Sequence, residues 1–106
     1  MYCETILFPP EISNLDILPF PDYEGFEYHM LIRNGLFMNA GVQEKTVVIA
    51  TGRSCPFNCT FCFHSSGKKY RRRSVDNIFK EIEWVITNYG INYIIFVDFN
   101  LKNYRL

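Results

Sequence analysis

The sequence predicts an α/β chain: a single β-α-β unit preceded by an irregular, proline-rich segment. Three observations carry that expectation. Thr46–Thr51 is a continuous apolar, β-branched run, residues 75–89 repeat apolar side chains at helical spacing, and Tyr93–Val97 is a second unbroken apolar run. Strand, loop, helix and strand within about 50 residues make one parallel, right-handed crossover.

Residues 1–28 show no clear periodicity, and Pro9, Pro10, Pro19 and Pro21 interrupt any helix through them. Leu15, Ile17, Leu18, Phe20, Tyr23 and Phe26 read as an extended apolar strip laid on a larger surface. Residues 30–45 are expected to form a weak strand pair, with Asn34-Gly35 as the turn. Residues 1–45 are therefore taken as one irregular, linker-like segment. From Thr46 the pattern sharpens into a strand buried on both faces, and Gly52 is expected to end it with a tight turn.

The helix is bounded by local chemistry. Ser74 is placed to cap its N-terminus, and Asp76 in the first turn meets the positive end of the dipole. Val75, Ile78, Phe79, Ile82, Val85, Ile86 and Tyr89 form the apolar stripe. Gly90 is placed to close it in the left-handed conformation. Ile91–Asp98 then reads as a second buried strand.

One hundred and six residues allow at most one small domain. Net charge is zero, which argues against a general polyanion binder. The zero hides a division: residues 1–45 carry −5 and residues 46–106 carry +5. Either the two halves face each other or each faces a partner. No run of about 18 apolar residues exists, so no transmembrane helix is expected. The N-terminus lacks the basic flank and apolar core of a signal peptide. Four cysteines, three of them clustered, read as metal-binding thiols of a reducing compartment, and the expected location is cytoplasmic.

The clustered thiols are Cys55, Cys59 and Cys62, spaced C-x3-C-x2-C in the loop between the first strand and the helix. Three is an odd number for disulfides, and sulfurs so close in sequence cannot staple distant elements. They suit a soft metal centre. On a four-iron four-sulfur cubane, three cysteines leave one iron without a protein ligand, and that position is where chemistry can occur. The loop also leaves the C-terminal end of a parallel strand, where ligands gather in α/β sheets and barrels.

Cys55-Pro56-Phe57-Asn58-Cys59-Thr60-Phe61-Cys62 resembles the signature of the radical S-adenosylmethionine (radical SAM) superfamily, with Phe61 as the aromatic residue before the last cysteine. Phe63 and His64, Tyr70 through Ser74, Ile94 through Asp98 and the preceding Leu15 through Pro21 are similar to the branch with cobalamin-type domain architecture. The resemblance covers roughly residues 8–104. It implies that residues 46–106 are the start of the family's catalytic domain, one β-α-β unit of a truncated partial (β/α) barrel.

It further implies that Cys55, Cys59 and Cys62 hold a [4Fe-4S] cluster whose vacant iron chelates S-adenosylmethionine. One electron then cleaves the sulfonium to methionine and a 5′-deoxyadenosyl radical, which abstracts a substrate hydrogen. Phe61 would lie beside the cluster and the adenine, and Asp98 would receive the cofactor's ammonium. Two plainer readings stand beside these: Phe61 as core, and Asp98 as a cap of the next turn. Relatives of this branch often carry two adjacent acids there, and this chain has Phe99 in the second position. Cobalamin is expected only through a domain outside this sequence. The expected partners are a substrate, an electron donor and a chain completing the barrel, with no membrane and no nucleic acid. The chain is expected to be a fragment with little turnover alone.

The alternative class is a small interaction module holding zinc or a cluster without catalysis. Zinc calls for a fourth ligand, which would be His64, His29 or Cys3; His64 lies only two residues past Cys62, a cramped spacing. Cys3 otherwise reads as a free thiol and His29 as a surface residue. Lys68–Arg73 places five cations in six positions and reads as a solvated loop that orients the helix start. Arg53, beside the cysteine loop, is placed to offset negative charge there.

Overall fold

The computed structural model describes residues 10–34, 45–57, 59–64 and 67–97. In chain order they form a 3-10 turn (Leu15–Ile17), helix α1 (Tyr28–Arg33), strand β1 (Thr46–Ile49), short strands β2 (Gly52–Arg53) and β3 (Arg71–Arg72), helix α2 (Val75–Tyr89) and strand β4 (Tyr93–Phe96). The architecture is mixed α/β. β1 and β4 pair in parallel, Thr46 opposite Tyr93 through Ile49 opposite Phe96. The pairing runs past both ends of the strands. The Lys45 carbonyl accepts the Asn92 and Tyr93 amides, and the Val97 amide donates to the Ile49 carbonyl at 3.1 Å. A parallel pair needs a crossover between its strands, and α2 lies within that connection.

Helix α2 begins and ends where its caps predict. The Asn77 amide donates to Ser74 Oγ at 3.2 Å, and Gly90, at φ 62°, sends its amide back to the Ile86 carbonyl. A residue with a Cβ pays roughly 1–2 kcal/mol in that left-handed conformation. The buried stripe differs from the expected one. Ile78, Glu81 and Val85 are buried, Ile82 and Tyr89 pack partly against the core, and Val75, Phe79 and Ile86 are exposed. Glu81, 1% exposed, occupies the centre of the face that periodicity assigns to apolar residues.

Glu81 is admitted to the core because its charge is met. Its carboxylate pairs with the Arg73 guanidinium and accepts a hydrogen bond from the Tyr23 hydroxyl. Buried charge is tolerated only when paired and hydrogen-bonded in this way. Arg73 reaches further. Nε donates to Asn77 Oδ1 at 2.7 Å, Nη1 to the Ala50 carbonyl at 3.0 Å, and its guanidinium lies over the Phe20 ring. The last cation of the basic run is thus half-buried in a polar network rather than solvated.

The N-terminal half packs on this unit. Tyr23 stacks on Trp84 with ring centroids 5.5 Å apart and meets Tyr28 edge-on at 5.1 Å; Tyr89 completes the cluster. The Tyr28 hydroxyl donates to the Thr46 carbonyl at the start of β1. The two halves also meet through carboxylates of the first and backbone amides of the second. Glu11 accepts the Lys68 and Lys69 amides, and Asp16 accepts the Ser74 amide at 2.8 Å. Hydrogen bonding to Ser74 holds the Asp16 carboxyl below its ordinary value.

Two further expectations change. Residues 30–33, read as part of a weak strand pair, belong to α1, with Asn34 as its C-cap; residues 35–44 lie outside the described residues. Strand β4, read as a second buried strand, leaves Tyr93 and Phe96 exposed. An apolar run reports that a strand is suited to burial, and its neighbours decide whether it is buried. Among the described residues β4 has β1 as its only strand neighbour.

Burial first, then the hydrogen bond and charge of Glu81, push the Tyr23 phenol far above its ordinary value of 10.0. Burial also raises the phenols of Tyr28 and Tyr89. A raised folded-state value stabilises below the unfolded value and loses that contribution as pH rises toward the folded one. Above pH ~10 the unfolded chain sheds phenolic protons that the folded chain keeps. The urea midpoint should therefore fall as pH rises from about 10 to about 12. Tyr23→Phe should show a shallower fall; an unchanged slope in that variant would remove Tyr23 from the account.

Candidate metal centre

The cysteine loop leaves the C-terminal end of β1, and its neck is built from pieces that pin one another. The Arg73 amide donates to the Thr51 carbonyl at 2.8 Å while its side chain holds the Ala50 carbonyl. Next, β2 and β3 pair antiparallel, Gly52 opposite Arg72 and Arg53 opposite Arg71. A short ladder therefore brings the two ends of the cysteine-bearing connection together at its base. On the other flank Arg71 Nη1 donates to the Ile12 carbonyl, tying the base to the N-terminal half.

The turn into the loop is made by Ser54 rather than Gly52. Gly52 sits within β2 and has no positive φ, whereas Ser54 has φ 65°. A left-handed serine costs about 1–2 kcal/mol, and local hydrogen bonds offset it. The buried hydroxyl donates to the Gly67 carbonyl at 2.7 Å and lies 3.1 Å from His64 Nδ1. Gly67 has φ 92°, and a Cβ there would collide with the Glu11 carboxylate that receives the Lys68 and Lys69 amides. Arg53 Nη1 donates to the Gly52 carbonyl.

Within the loop the three cysteines are free thiols, Cys55 half-buried and Cys59 and Cys62 exposed. One turn joins the last two: the Cys62 amide donates to the Cys59 carbonyl at 3.2 Å. The Phe61 ring, 92% exposed, is not core, and Phe57 and Phe63 are exposed beside it. Three thiols in eight residues of chain suit a soft metal by donor type. Among the described residues, however, no three His, Cys, Asp or Glu side chains are already grouped to hold an ion. Bringing such ligands together is commonly coupled to binding itself.

The remaining candidates separate. His64 is anchored to Ser54, and His29 is exposed on α1. Cys3 and Asp98 lie outside the described residues. Periodicity and spacing missed Ser54, Arg73 and the β2–β3 ladder. Serine carries no strong left-handed signal, and a cation in a basic run carries none for burial.

Among the described residues no helix is long and apolar enough to cross a membrane. The radical SAM superfamily model matches residues 49–98, from the end of β1 through β4. The chain is 36% identical over 91 residues to an uncharacterized methyltransferase of Pyrococcus horikoshii, covering 84% of this chain and 18% of the relative. It is 30% identical over 94 residues to the cytidylyl-2-hydroxyethylphosphonate methyltransferase of Streptomyces wedmorensis, covering 86% of this chain and 18% of the relative. The chain thus spans less than a fifth of the length of each of these relatives. No solved structure matches it significantly.

Proposed function

Through residues 49–98 the chain belongs to the radical SAM superfamily, and from that membership we propose that its cysteine loop binds a [4Fe-4S] cluster and S-adenosylmethionine. The observation that carries the reading is the C-x3-C-x-aromatic-C set of free thiols on a loop leaving the C-terminal end of a parallel strand. Cys55, Cys59 and Cys62 would be the ligands, as thiolates. The chemistry that such a group supplies when bound is one-electron cleavage of S-adenosylmethionine to methionine and a 5′-deoxyadenosyl radical.

The chain's own contribution is placement. Arg73 and the β2–β3 ladder hold the two ends of the loop at the end of β1. The exposed Phe61 ring offers a flat apolar face for the adenine. Asp98, directly after the residue that extends the β1–β4 ladder, would receive the ammonium of the cofactor. The β1–α2–β4 unit is proposed as one unit of a partial (β/α) barrel within a cytoplasmic enzyme. Methyl transfer is proposed as the reaction class because both relatives are named methyltransferases. No residue of this chain is assigned to cobalamin.

Anaerobic reconstitution with iron and sulfide, followed by electron paramagnetic resonance with and without S-adenosylmethionine, tests the reading. The expected result is one cluster per chain, with a spectrum that changes on adding the cofactor. Tightly bound zinc with no iron uptake would overturn it in favour of a zinc module. A cluster whose spectrum ignores the cofactor would overturn the cofactor half.

A further inference from the structure

The neck of the cysteine loop contains a polar cluster whose proton positions follow from donor counting. The Ser54 hydroxyl has one hydrogen, and it is given to the Gly67 carbonyl, which can only accept. The same oxygen lies 3.1 Å from His64 Nδ1. With its hydrogen committed, Ser54 Oγ must accept from that ring nitrogen. The neutral imidazole is therefore fixed with its proton on Nδ1, and Nε2 keeps a bare lone pair.

Nε2 is also placed unlike the thiols. It is buried and has no hydrogen-bond partner among the described residues, while Cys59 and Cys62 are exposed. A bare imidazole nitrogen is chemically a good metal ligand, and at two residues past Cys62 His64 is near the thiolates even though the spacing is cramped. In this arrangement it is turned into the protein, and Ser54 holds it there. The hydroxyl that anchors it is carried by a residue in the left-handed conformation (φ 65°), which places Oγ between residues 10 and 13 positions further along the chain.

We propose that Ser54, His64 and the Gly67 carbonyl form a latch across the neck of the loop that withholds the His64 imidazole from the metal and so limits the protein ligands to three thiolates. Ser54 is then a positioning residue acting through His64. The proposal rests on the metal-binding reading of the three cysteines, and it deepens that reading by naming what keeps a fourth ligand position free of protein.

Two nuclear magnetic resonance measurements test it, both in a His29→Gln background so that His64 is the chain's single histidine. In the metal-free chain, long-range proton–nitrogen correlations should show the neutral His64 ring protonated on Nδ1. Ser54→Gly, which relieves the left-handed backbone while deleting the hydroxyl, should lose that single tautomer; Ser54→Ala serves as the second hydroxyl-free variant. An Nε2-protonated ring in the chain that retains Ser54 would overturn the latch.

The chain is then loaded with cobalt(II) as the metal probe. With Ser54 present, the imidazole N–H should show at most a through-space shift; with Ser54 removed, a large contact shift should appear as His64 joins the thiolates. A contact-shifted imidazole in the chain retaining Ser54, or its absence from both hydroxyl-free variants, would sink the latch alone. Failure to take up cobalt in a chain with all three cysteines would sink the metal reading and the proposal with it.

Discussion

Arg73→Ala is expected to cost about 3–5 kcal/mol, because removing one partner of a buried ion pair leaves the other charge in the core. A small domain has roughly 5–15 kcal/mol in total and a short chain sits toward the lower end. Loss of the cooperative urea transition, with loss of α2 helicity by circular dichroism, is the expected outcome. Arg73→Ala strands Glu81, removes the donor to the Ala50 carbonyl and frees Asn77 at the start of α2. Replacing both charges by apolar residues of similar size, Arg73→Met with Glu81→Leu, should recover part of the loss, since no charge is then stranded. Recovery should be incomplete, because the Ala50 carbonyl and the Tyr23 hydroxyl still lose partners. An Arg73→Ala chain less stable by under about 1 kcal/mol would show that Glu81 is reached by water and that the pair contributes as a surface pair does.

The position of that network explains what was legible in the sequence. Helix α2 was legible to the residue because its signals are local: Ser74 and Gly90 act within one turn of themselves. The parallel pairing was legible because two apolar runs joined by a helix have few ways to meet. Glu81 and Arg73 were not, since their burial is licensed by Tyr23, 58 positions before Glu81. Helix α1 was missed because Met30–Ile32 is too short an apolar piece to show a period, and it follows Glu27 in a left-handed conformation that no local signal announces. The exposed face of β4 was misread for a related reason. Hydropathy describes the strand, while coverage depends on what lies beside it. In the loop, the ligand types were legible from spacing alone, but the Ser54 turn that aims them was not, and neither was its hold on His64.

Because two of the cysteines are exposed, the third is half-buried and the framework is elsewhere, binding and folding should separate in variants. Cys55→Ala, Cys59→Ala and Cys62→Ala are each expected to abolish stoichiometric iron and sulfide uptake, since the loop then offers two thiolates where the proposed cluster would take three. Each should leave stability of the metal-free chain within roughly 0.5 kcal/mol of the parent, the range for substitutions away from the core, with the half-buried Cys55 showing the largest change of the three. Iron and acid-labile sulfide per chain, measured beside urea unfolding of the same preparations, decide the matter. Uptake retained in any one variant would mean that its sulfur is not a ligand. Uptake lost together with the fold would mean that the thiols serve the framework, which their exposure and the absence of a disulfide argue against. Selective loss of metal leaves one physical reading of the loop: β1, the β2–β3 ladder and Arg73 fix where it starts and ends, and the three sulfurs between are there to be occupied.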